Sequence, residues 1–133
     1  MAYQLSFDVK QRYISSESGI TVEAILHSGQ KTANCLAKID TGAQLCLFER
    51  AAGELLGLEI EKGMPIELST LTGTMLAYGF EITMEVLGLE FVSTVYFPQS
   101  SHIHRNILGR QGFLQLLKFG LVDYDSELYL SSY

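Results

Sequence analysis

Phe80-Glu81-Ile82-Thr83-Met84-Glu85-Val86 alternates apolar and polar side chains without a break. A period of two sends successive side chains to opposite faces, so this stretch reads as a strand with Phe80, Ile82, Met84 and Val86 on one side. A turn near Gly88 and a second run, Leu89 to Phe97, complete a hairpin. Upstream, Pro65 to Thr70 and Met75 to Phe80 flank Leu71-Thr72-Gly73-Thr74, an uncharged tip in which glycine can take positive φ at no steric cost. Further out, Ile20, Val22, Ala24 and Leu26 line a strand, Ser28-Gly29-Gln30-Lys31 supplies turn chemistry, and Thr32 to Ile39 returns with Ala33, Cys35, Ala37 and Ile39 inward. Tyr3, Leu5, Phe7 and Val9 predict an extra N-terminal strand, and Leu121 to Tyr124 with Leu128 to Tyr133 predict a closing hairpin about Asp125-Ser126. Helical spacing is confined to Arg50 to Leu56, stopping at Gly57, and to Arg110 to Phe119, where Phe113, Leu116 and Leu117 precede Gly120. The class is therefore all-β, a closed-barrel-like fold of about eight or nine strands with one or two short helices.

Length and composition narrow the rest. A chain of 133 residues makes one domain, 1–133, whose core spans about 20–130. Charged residues are 18% against roughly 25% in an average soluble chain, and 47% are hydrophobic, with mean hydropathy +0.19, which excludes disorder. So apolar a small domain has more greasy surface than it can cover, and a homodimer is the simplest way to cover it. The 9 Lys+Arg against 15 Asp+Glu give a net charge of −6 with no basic cluster, which argues against nucleic acid. Charges interrupt every apolar run before the roughly 20 residues of a membrane span, and Met1 to Lys10 lacks the basic-then-apolar order of a signal peptide. A cytoplasmic chain without membrane contact is the expectation. Cys35 and Cys46 form no CxxC motif and read as buried free thiols. His102-Ile103-His104 has strand spacing but no third ligand nearby, so it reads as a polar loop, with no metal expected; His27, beside a turn, reads as solvated.

The chemistry concentrates at Asp40-Thr41-Gly42-Ala43. A carboxylate ends the apolar strand Leu36 to Ile39, and a glycine two residues on lets another backbone approach closely. A weak internal echo accompanies it: strand, glycine, helix, Gly-Leu occurs once around Asp40 to Leu58 and again from Ile107-Leu108-Gly109 to Gly120-Leu121.

Ile39 to Ala43, followed downstream by Ile107-Leu108-Gly109-Arg110 and an expected helix, resembles the retropepsin-like (retroviral-type) aspartic proteases. The resemblance is to a stand-alone bacterial-type member and covers about Ile20 to Leu130. It implies that Asp40 is the catalytic aspartate, that Thr41 braces the active-site loops across a dimer, and that the Gly42 backbone meets substrate. Ala43 matches the small residue that follows. Ile107, Leu108, Gly109 and Arg110 match the element packed around the active-site loop, and Leu71, Thr72, Gly73 and Thr74 are placed like a flap tip, with Met75 beside it. The chain holds one Asp-Thr-Gly triplet, so the resemblance implies a homodimer with one Asp40 per protomer, an extended peptide or protein substrate, and no cofactor. Three residues depart from the family. Gln44 and Leu45 stand where retroviral members place an acidic partner for the arginine, and Lys38 is a cation two residues before Asp40. Strand parity puts Lys38 on the Asp40 face, and the C-terminal strand, Leu128 to Tyr133, offers an edge for interchain pairing. The other reading is a catalytically silent dimerisation or peptide-binding module on the same fold.

Overall fold

The computed structural model describes residues 1–15 and 18–133. In chain order the strands are β1 (Val9–Arg12), β2 (Thr21–Ser28), β3 (Lys31–Ile39), β4 (Cys46–Leu47), β5 (Met64–Thr70), β6 (Gly73–Val86), β7 (Leu89–Pro98), β8 (Ile107–Leu108), β9 (Lys118–Val122) and β10 (Glu127–Ser131). One α-helix, α1 (Arg50–Leu55), lies between β4 and β5. The sheet order β2-β3-β8-β4-β7-β6 closes through antiparallel pairing of β2 with β6, Ala24 opposite Val86 and Leu26 opposite Met84. The result is a closed six-stranded barrel, in which no member is left with a bare edge along its paired length.

Alternation dictates what fills it. Val22, Ala24 and Leu26 of β2, Ala33, Cys35, Ala37 and Ile39 of β3, and Ile82, Met84 and Val86 of β6 are all buried, with Phe48, Phe97 and Phe113 fully so. Phe80, expected on the same inner face, is half-buried and packs beside Phe97. The β6–β7 hairpin turns at Leu87-Gly88, both at positive φ, the geometry whose twist matches paired strands.

Strand β6 is long enough to serve two purposes. Its C-terminal part joins the barrel, whereas Gly73 to Met75 pair with β5 alone, so the β5–β6 hairpin projects past the barrel wall.

Three expectations change. The strand foreseen at residues 3–9 begins only at Val9: the Asp8 N–H still donates to the Leu130 carbonyl and to Ser131 Oγ, and the pairing with β10 stops there. Tyr3 and Leu5 are exposed, and Phe7 leans on Tyr129 and over Gly120. The helix foreseen at Arg110 to Phe119 shrinks to a single 3-10 turn, Leu114–Leu116. Gly112 sits at φ +97, outside the helical region, and Phe119 and Gly120 belong to β9. Phe113 and Leu117 are buried as anticipated, but Leu116 is exposed. Finally, β10 is the middle strand of the sheet β1-β10-β9, with both edges paired inside its own chain. It is not available for interchain pairing as the sequence suggested, and its strand ends at Ser131.

Candidate active site

Asp40 follows the last residue of β3, and neighbouring backbone fixes its position. The Asp40 N–H donates to the Leu108 carbonyl at 2.9 Å, carrying the parallel β3–β8 pairing one residue past the strand end. Oδ1 of Asp40 accepts the Gly42 N–H at 2.8 Å, and the Asp40 carbonyl accepts the Ala43 N–H at 3.2 Å. A carboxylate holding its own loop in this way has one oxygen committed and the other free for chemistry. Asp40 is half-buried, while Thr41 and Gly42 are exposed.

The element Ile107 to Arg110 sits directly against this loop. Arg110 N–H donates to the Ala43 carbonyl at 2.9 Å and Gln111 N–H to the Gln44 carbonyl at 2.8 Å. Gly109 lies under them: a Cβ there would stand 2.2 Å from the Leu45 carbonyl oxygen and 2.7 Å from that of Ala43. Only glycine permits that approach. The Gly109 N–H donates to Cys46 Sγ at 3.4 Å. Main-chain bonds thus tie the two segments where an acidic residue and arginine were absent as a pair, and among the described residues the Arg110 side chain makes no ion pair.

Lys38 is exposed. Its stem packs beside Gly19, its N–H donates to the Asn106 carbonyl, and among the described residues it forms no ion pair with Asp40.

A cleft of about 1060 Å³ is lined by Ile107, the residue that precedes Leu108 in the bracing element. Leu47 of β4 and Ile107 of β8, which pair with each other, line it together with Leu71, Thr72, Thr74 and Met75 of the overhanging hairpin. Asp40, Ala43 and Gly73 are not among its lining residues, so one copy joins the expected flap to Ile107 but not to the carboxylate itself. The remaining wall is the segment after β7, contributing Gln99, Ile103 and Arg105. Reading that segment as merely a polar loop misses its part in the cleft; the signal available was Ile103, an apolar residue among polar neighbours. The loop is anchored at both ends. Gln99 N–H donates to the Leu76 carbonyl and its own carbonyl accepts from Arg50, while the Asn106 side chain accepts the Glu49 N–H and donates to the Leu36 carbonyl.

Other candidate groups have structural partners. His104 pairs with Glu49 at 3.1 Å, and His102 makes its contact through its backbone N–H, to Ser100. His27 is half-buried rather than solvated as expected: β2 lies between β3 and β6 there, and Nε2 is buried with no hydrogen-bond partner among the described residues. Burial pushes both thiols, Cys35 and Cys46, up to about 11, with Glu49 adding to the effect at Cys35. Both stay protonated at neutral pH and are poor nucleophiles. Arg50 grips both oxygens of Glu61, which holds the Glu61 carboxyl below its ordinary range and raises the guanidinium further.

No protein-family model matches the chain, and no curated protein matches its sequence. Among the described residues no helix is long and apolar enough to cross a membrane.

Proposed function

We propose that the chain is the protomer of a retropepsin-like aspartic endopeptidase, in which two copies each contribute Asp40. One observation carries the reading: the Asp40-Thr41-Gly42 loop is hung on Leu108 and wedged by Gly109, and Ile107 of the same bracing element lines a cleft together with the projecting hairpin. A turn aspartate that merely caps its loop has no need of a second segment fitted to it by three main-chain hydrogen bonds.

Chemistry follows from bringing two such loops together. Two adjacent carboxylates cannot both ionise comfortably, so they share a proton and titrate as a pair. The ionised Asp40 acts as general base on a water held between them, and the protonated partner donates to the scissile carbonyl oxygen. Water attack gives a tetrahedral intermediate, and proton return to the amide nitrogen releases the amine. The exposure of Thr41 and Gly42 in one copy fits a loop that a second copy covers. Substrate lies extended, pairing its backbone with the hairpin tip while side chains enter the cleft.

Cleavage of a mixed peptide library, read by mass spectrometry from about pH 4 to 7, tests this with Asp40→Asn alongside. Asparagine retains an oxygen for the Gly42 N–H, so the fold is kept and only the acid/base function goes. Cuts present in the wild type and absent in the variant are expected. Cuts that persist in the variant remove Asp40 from the chemistry, and peptide binding without any cuts identifies a silent binding module instead.

A further inference from the structure

Arg105 has no part in the acid/base chemistry. It is exposed, lines the cleft, and makes no ion pair among the described residues. Its setting is unusual for this chain. Acidic residues outnumber basic ones 15 to 9, yet among the described residues no Asp or Glu lines the cleft. The wall is otherwise apolar, or carries uncharged hydroxyl and amide groups. The backbone carrying Arg105 is held by its neighbour Asn106, whose side chain reaches both Glu49 and Leu36. An exposed cation with no ion-pair partner among the described residues, beside apolar wall residues, attracts a carboxylate and repels a cation.

We infer that the cleft selects peptide segments in which an apolar side chain fills the space beside Leu47, Ile107 and the hairpin tip while a nearby Asp or Glu meets Arg105. The inference rests on the peptide-binding part of the reading above and adds the charge of the substrate to it. Side chains on one face of an extended peptide recur about every 7 Å. A neighbour on the peptide can therefore reach the rim while the apolar residue occupies the floor.

The test uses the full chain and a set of fluorescein-labelled apolar peptides, identical except for Glu, Gln or Lys scanned through each position. Binding to Asp40→Asn is read by anisotropy and cleavage by the wild type by mass spectrometry. At one position Glu is expected to bind up to about five-fold more tightly than Gln, the upper limit of an exposed ion pair, and Lys more weakly still. Arg105→Gln removes the Glu preference, and Arg105→Glu converts it to a preference for Lys, with thermal unfolding of both variants matching the wild type. Equal binding of Glu, Gln and Lys peptides at every position overturns the inference, as does a Glu preference that survives Arg105→Glu, or no binding of any peptide. Charge-selective binding without cleavage supports the cleft assignment and overturns the peptidase reading. Cleavage without charge preference does the reverse.

Discussion

Replacing Gly109 by alanine isolates the contact on which the site is built. Gly109 is not at positive φ, so a methyl group adds no backbone strain of its own, and the whole penalty comes from what it meets. It meets two carbonyl oxygens, 2.2 Å away on Leu45 and 2.7 Å away on Ala43. For ordinary contact at 3.4 Å the Leu45 carbonyl must retreat by about 1.2 Å, and a main-chain oxygen cannot rotate aside as a side chain can. Such overpacking costs about 1–3 kcal/mol. The retreat also stretches the bonds from Arg110 to Ala43 and from Gln111 to Gln44, each worth about 0.5–1.5 kcal/mol. Gly109→Ala is therefore expected to lose about 2–6 kcal/mol in urea unfolding, or roughly 8–25 °C in Tm. Gly29→Ala is the control. Gly29 sits at φ +60 with nothing within 4 Å of its would-be Cβ, so it should cost only about 1 kcal/mol. Judged by backbone conformation alone, the order of the two would be reversed. Equal losses for the two variants would refute the claim that Gly109 is a steric wedge.

Two further outcomes are expected. Glu61 is held below the ordinary carboxylate value of 4.5 chiefly by its bond to Arg50, so the pair stabilises the fold at neutral pH and the contribution disappears as pH falls through the lowered value. Arg50→Gln should thus lower Tm near pH 7, with a gap to wild type that narrows as acid protonates Glu61 below the ordinary carboxylate value; a gap that widens in acid would contradict the assignment. Cys35 and Cys46, both buried with thiols pushed up to about 11, should react with Ellman's reagent only on unfolding. Rapid labelling of the native protein would show that one of them is open to solvent.

Much of the barrel was legible because a half-buried antiparallel strand writes its inner face as every second residue. Ala33, Cys35, Ala37 and Ile39 are inward as alternation requires, and so are Ile82, Met84 and Val86. Alternation failed at Tyr3 to Phe7, since it reports which faces a strand would have and not whether a partner strand is present. The segment after Gly109 misled for a different reason. Phe113 and Leu117 have the spacing of a helical stripe, but the left-handed conformation of Gly112 turns the chain before a helix can propagate. Glycine in a sequence does not declare whether it is a hinge, a wedge or a stop. The Asp40 loop and its brace could be paired from sequence through the family resemblance that both motifs carry, and the main-chain bonds between them agree with it. The cleft wall could not, because Arg105 and Ile103 are brought to Leu47 by anchors at Gln99 and Asn106 that no local pattern reveals.

Mixing subunits tests the shared site most directly. With a fixed amount of wild type and a ninefold excess of Asp40→Asn, random exchange leaves about one wild-type chain in ten paired with another. Cleavage per wild-type chain should fall to about a tenth of its starting value, and the same excess of wild type should not reduce it. Activity unchanged by the excess variant, after exchange has been demonstrated, would mean that one copy holds a complete site and would contradict the account.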